Sequence, residues 1–161
     1  DKNSKLIFNL DYTIISKAIH KSITIKRKFI LKDEKEKLKN KYSRAILNYG
    51  HTFGHALETY YKYNKKLTHG EAISVGMIIA ATLSNKLNYL SLKDLQIIKN
   101  HFRSTKLPIK DEKMFCTEIY KIIKKDKKNI DGKTNLILLN AIGSAFLNNR
   151  LNIDNIRKLV K

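Results

Sequence analysis

The 161 residues carry 33 lysines and arginines against 14 aspartates and glutamates, a formal net charge of +19, with 42% hydrophobic residues, one proline and no tryptophan. That apolar content excludes a disordered chain and suffices for the core of one ordinary domain. No apolar run is long enough to cross a bilayer, the first residues do not read as a signal peptide, and the single Cys116 excludes an internal disulfide and fits a reducing cytoplasm.

From the N-terminus, Asp11 to Leu31 places Ile14, Ile15, Ala18, Ile19, Ile23, Ile25, Phe29 and Ile30 at a largely helical period. Lys32 to Ser43, KDEKEKLKNKYS, reads as a charged linker or an exposed helix end. The next predicted helix runs from Ser43, its N-cap, to Tyr61. On it Arg44, Asn48, His51, His55 and Glu58 recur every three or four residues and form one polar stripe, with Ile46, Leu47, Phe53, Ala56 and Leu57 as the apolar face. Thr68-His69-Gly70-Glu71 is a turn into a further helix, with Glu71 in the first turn, where the macrodipole favours a carboxylate. Ser91 to Asp94 opens a helix reaching about Arg103, and Leu107-Pro108 closes that region. Asp111 to Lys125 is predicted helical with Met114, Phe115, Ile119, Ile122 and Ile123 inward. Thr134 to Leu139, Asn140 to Gly143 and Ala145 to Leu147 read as one β-hairpin, and Asn152 to Lys161 as a terminal helix. The predicted fold class is therefore mainly α with one small β-hairpin.

The polar stripe carries the chemistry. A row mixing a cation, an amide, two imidazoles and a carboxylate is costly to bury unless it binds something. The bland alternative is a solvated face with two ordinary histidines, since pairs spaced four apart are common. His69 shifts the balance, because a histidine at the start of the next helix can face back toward His51 and His55. Converging imidazoles suit a borderline dication, usually zinc, and a catalytic zinc generally takes three protein ligands with a carboxylate often among them. Spacing alone points to His51 and His55 as the ligand pair.

GHTFGHALE at 50–58 followed by HGEA at 69–72 resembles the C-terminal signature of the 3-dehydroquinate synthase family. The lead-in RAILN from Arg44 to Asn48, the Gly76-Met77 pair, Lys26 seven residues before Asp33-Glu34, and Asp126-Lys127-Lys128-Asn129 with Gly132 and LILLNAIG extend the resemblance from about Ser22 onward. The resemblance implies a helical metal- and substrate-binding domain spanning 1–161. It also implies an NAD- and zinc- (or cobalt-) dependent lyase of the shikimate pathway that turns 3-deoxy-D-arabino-heptulosonate 7-phosphate into 3-dehydroquinate and phosphate. By motif it makes His51 and His69 the metal ligands and His55 a substrate-contacting histidine, overriding the simpler spacing argument. It sets Lys26 and Arg44 against the substrate carboxylate, Asn48 and Lys127 near the phosphate, and Lys26, Arg44 and His55 among the catalytic groups. The family's N-terminal NAD-binding domain and the segment bearing its third zinc ligand, a glutamate, do not precede Asp11. The chain, which starts without methionine, thus reads as a fragment that is inactive alone, taken from a cytoplasmic enzyme that is a homodimer at full length. No nucleic-acid or membrane partner is expected. The rival readings are another sugar phosphate cyclase, a polyol dehydrogenase with a similar helical metal domain, and a basic nucleic-acid-binding domain. The last draws only on the charge, which is nearly all lysine spread along the chain, with Arg27, Arg44, Arg103, Arg150 and Arg157 unclustered.

Overall fold

The computed structural model describes residues 3–64, 66–125 and 134–160. The chain divides into two compact units, one ending at Leu47 and the other beginning at Asn48.

The first unit holds α1 (Ser4–Phe8) and α2 (Tyr12–Lys32). The Asp11 carboxylate caps α2 by accepting the Ile14 N–H at 3.0 Å. The helix predicted from Asp11 to Leu31 is thus present, although α2 buries none of its residues fully and leaves Ile19, Ile23, Ile25 and Leu31 exposed. Beyond it the charged stretch is a loop organised by Asp33. This buried carboxylate accepts the N–H groups of Lys37 at 2.8 Å, Leu38 at 3.2 Å and Arg44 at 2.9 Å. Burial pushes the Asp33 pKa up, but the three N–H donors and the Arg44 charge outweigh it and hold the carboxyl below its ordinary value.

The second unit is built around α4 (His69–Lys86). It also contains α3 (His51–Tyr60), α5 (Leu92–Ser104), α6 (Thr117–Lys124), β1 (Leu136–Ala141), β2 (Ser144–Asn148) and α7 (Ile153–Val160). Helix α4 touches α3, α5, α7 and β1. Its apolar residues run almost without interruption and are buried on nearly every side, from Ala72 through Leu83. The two hydroxyls buried with them are satisfied. Ser74 Oγ donates to the Pro108 carbonyl at 2.7 Å, while Ser84 Oγ donates to the Ala80 carbonyl and accepts the Leu139 N–H at 3.0 Å. Phe53, Leu57, Leu83, Met114, Ile119, Ile123, Leu136, Leu138 and Ile156 complete the core. The hairpin pairs Leu136 with Asn148 through Ala141 with Ser144, with one irregularity after Leu139, and turns at Ile142-Gly143. Among the described residues, the chain adopts the predicted mainly helical fold with one hairpin.

Two elements differ from the sequence expectation. The helix predicted over 43–61 is broken. A 3-10 turn, Arg44–Asn48, is capped by Ser43 Oγ, which accepts the Ala45 N–H at 3.2 Å. The chain then reverses at Gly50, where φ is +84°, and α3 begins only at His51. A left-handed residue ends a helix, so Arg44 and Asn48 do not share a helical stripe with the histidines. The helix predicted from Asp111 starts instead at Thr117. The Asp111 carboxylate accepts the N–H of Lys113 at 2.8 Å and the phenol of Tyr61 at 3.1 Å, and this local turn displaces helix from 111–116.

Candidate metal centre

α3 and α4 meet backbone to backbone. A Cβ added at Gly76 would collide with the Gly50 carbonyl oxygen and lie 2.8 Å from Gly54 N; one added at Gly50 would lie 2.7 Å from Met77 N. Just before α3, Tyr49 is tied to α4 by its hydroxyl, which donates to the Met77 carbonyl at 2.8 Å, and burial pushes its pKa well above the usual phenol value. The start of α4 is fixed by a capping box. The Thr68 hydroxyl accepts the Glu71 N–H, and Glu71 Oε2 accepts the Thr68 N–H at 2.8 Å. The Thr68 hydroxyl also donates to Glu71 Oε2 at 2.7 Å, and this bond, with the one from the Thr68 N–H, holds the Glu71 carboxyl below its ordinary pKa against a smaller opposing effect of burial.

This packing gathers three imidazoles. The ring of His51 lies 5.1 Å from that of His55 and 6.0 Å from that of His69, and His55 and His69 are 6.1 Å apart, centroid to centroid. His69 Nδ1 is 2.9 Å from Glu58 Oε1, and His51 Nδ1 is 3.3 Å from the Tyr49 carbonyl oxygen. A carboxylate or a carbonyl can only accept, so a hydrogen bond at either contact puts a hydrogen on Nδ1, and a neutral ring then offers its Nε2 lone pair to a ligand. Donor atoms of His55, Glu58 and His69 also lie within 4.8 Å of one another. His51 is not in that set; two imidazoles and a carboxylate whose donor atoms lie this close, with the third imidazole beside them, have the donor chemistry that suits a zinc-like dication.

The other residues singled out by sequence lie elsewhere in the chain. Lys26 is exposed on α2 of the first unit. Arg44, in the same unit, donates from Nη1 to the Glu34 carbonyl at 2.9 Å and stands 4.0 Å from Glu36. Asn48 ends the 3-10 turn and opens the second unit. Lys127 falls outside the described residues. Two participants were not recognised in the sequence: the Tyr49 carbonyl, which leaves no side-chain signal, and Glu58 as the partner of His69. The HALE segment showed a carboxylate one turn after His55, but not that it reaches a ring eleven residues on.

Residues 1–129 match the family model described as 3-dehydroquinate synthase C-terminal. The chain is 36% identical over 144 residues to the 3-dehydroquinate synthase of Acinetobacter baylyi, covering 89% of this chain and 38% of that protein. It is 38% identical over 165 residues to that of Pelagibacter ubique, covering 100% and 44%. The chain thus spans about two-fifths of these relatives. Among solved structures, 2-deoxy-scyllo-inosose synthase complexed with carbaglucose-6-phosphate, NAD+ and Co2+ matches with a TM-score of 0.59 at 26% identity, over 79% of this chain and 35% of that one. A 2-epi-5-epi-valiolone synthase from Streptomyces hygroscopicus with NAD+ and Zn2+ bound shares the fold, with a TM-score of 0.59 at 23% identity over 70% and 31%.

Proposed function

The chain belongs to the 3-dehydroquinate synthase C-terminal family, and from that premise we propose that it is the metal- and substrate-binding part of a 3-dehydroquinate synthase. The whole enzyme would convert 3-deoxy-D-arabino-heptulosonate 7-phosphate to 3-dehydroquinate and phosphate. The observation that carries this reading is the convergence of His51, His55 and His69 at the meeting of α3 and α4. His51 and His69 would hold zinc or cobalt through Nε2, with a glutamate from outside this chain as the third ligand. When bound, the metal supplies Lewis-acid polarisation of a substrate oxygen. His55, beside both rings, would contact the substrate and carry a proton at a ring nitrogen. By the family resemblance, Lys26 and Arg44 would meet the substrate carboxylate, and Asn48 and Lys127 would lie near the phosphate.

NAD+ would be bound by an N-terminal dinucleotide-binding domain, since this sequence has no Gly-rich turn between a strand and a helix. The cyclase solved with NAD+, Co2+ and a sugar phosphate analogue supports the cofactor pair. The chain by itself is accordingly expected to release no phosphate from the heptulosonate phosphate, and the full-length enzyme is proposed to act as a cytoplasmic homodimer. The structural likeness to 2-deoxy-scyllo-inosose synthase favours, as a second reading, a sugar phosphate cyclase with a different substrate. Comparing phosphate release from the heptulosonate phosphate and from glucose 6-phosphate by the full-length protein separates the two.

The metal assignment is tested in that full-length protein. His51→Ala and His69→Ala should lose metal and activity together, while His55→Ala keeps most of its metal and loses turnover. Metal loss in His55→Ala equal to that in His51→Ala refutes this division of roles.

A further inference from the structure

We propose that Glu58 is a positioning residue rather than a ligand: its carboxylate holds His69 at Nδ1 and so presents Nε2 to a divalent cation. The inference rests on the metal reading above and adds a residue to it. Glu58 follows His55 by three positions and His51 by seven on α3, so all three leave the same helix face. Its side chain is 11% exposed, whereas that of His69 is 61% exposed. His69 is the first residue of α4, and without a partner its ring is free to turn in solvent. The 2.9 Å contact fixes that ring from behind, as the Tyr49 carbonyl fixes His51. The two contacts differ in kind. A carboxylate adds negative charge behind the imidazole, which partly offsets the repulsion of a dication by a chain of net charge +19.

The competing role, Glu58 as a direct ligand, draws on the closeness of His55, Glu58 and His69 donor atoms. A cation seated on Oε1 would displace or repel the hydrogen on Nδ1, and the contact with His69 would break. The buried carboxylate and the exposed ring favour keeping that contact and binding the cation on the far side of the imidazole.

The experiment uses the full-length protein with Zn2+ in competition with a chromophoric chelator, and with Co2+ as a spectroscopic probe. Glu58→Ala should weaken zinc binding about 10- to 100-fold, the usual cost of losing such a partner. Glu58→Gln keeps an acceptor oxygen but loses the charge, and should weaken binding less, by several-fold. The visible spectrum of the cobalt form should be the same in Glu58→Gln and wild type, because the coordinating atoms are the same. In metal-free protein, nitrogen NMR should find His69 in the Nδ1–H tautomer, and a mixture of tautomers in Glu58→Ala.

Unchanged affinity in both variants overturns the proposal, and so does a cobalt spectrum altered by Glu58→Gln, which would make Glu58 a ligand. If Glu58→Ala does not fold, Glu58→Gln decides by the same two readings. Failure of the metal reading itself gives a different result: His51→Ala and His69→Ala would then bind zinc as well as wild type does.

Discussion

Replacing Gly76 by alanine tests whether the histidine site depends on backbone contact between α3 and α4. In an open helix interior the change would stabilise by about 1 kcal/mol, because alanine is the better helix former. At Gly76 the new methyl meets the Gly50 carbonyl group and Gly54 N. These are main-chain atoms that cannot rotate aside, so the cost belongs at or above the upper end of the ~1–3 kcal/mol usual for overpacking. The net expectation is a loss of about 2 kcal/mol. Gly70, on the first turn of the same helix, has nothing within 4 Å of an added Cβ. Gly70→Ala should be neutral or stabilising by up to roughly 1 kcal/mol. Urea denaturation of both variants measures the difference through the midpoint at constant slope. Gly76→Ala should also weaken zinc binding, because pushing α3 from α4 spreads His51 and His69. A Gly76→Ala protein as stable as Gly70→Ala would refute the argument that close approach, rather than chance, puts glycine there.

The Asp33 carboxyl has its folded-state pKa depressed, so the stability it contributes is present above its ordinary value of about 4 and is lost as pH falls through the lower, folded value. Asp33→Asn should therefore flatten the acid limb of the stability curve below about pH 4, read from urea midpoints against pH. Thr68→Ala removes one half of the capping box and should cost about 1 kcal/mol in the same assay. For substrate affinity in the full-length enzyme, Lys26→Ala and Arg44→Ala should each lose a charge-assisted hydrogen bond worth roughly 1.5–3 kcal/mol. Charge reversal at Lys37, Lys39 and Lys41 should change it little, and equal effects from both groups would mean that general attraction carries binding.

Where a local signal names its own partner, the sequence was easy to read. Asp11 before an apolar period, Thr68 three residues before Glu71, and Ser91 before Asp94 each cap the helix that they announce. Apolar β-rich runs flanking Asn140 to Gly143 announced the hairpin. The errors came where counting residues cannot see the backbone. Arg44, Asn48 and His51 keep a helical spacing across a break, because the 3-10 turn and Gly50 rearrange the chain without changing that count. Gly50 itself was the available warning, a glycine between two predicted turns of one helix. Asp111 has the spacing of an ordinary helical residue, although an aspartate can accept the N–H two residues on, here that of Lys113, and start a turn. At the site, the three histidines were legible from motif and spacing. The contact of Glu58 with His69 was not, since it depends on how α3 crosses α4.

Because α4 has almost no wet face, it cannot loosen one turn at a time; freeing any part of it exposes core from several neighbours at once. Its amides from Ala72 to Leu83 are therefore expected to exchange with solvent deuterium only when the second unit opens as a whole, at a rate set by global stability. His69 sits at the tip of this slowest-exchanging element, so heat or denaturant should dismantle the imidazole cluster in one step together with the core. Chemical modification of that histidine, whose side chain is already 61% exposed in the folded unit, should by contrast not wait for unfolding.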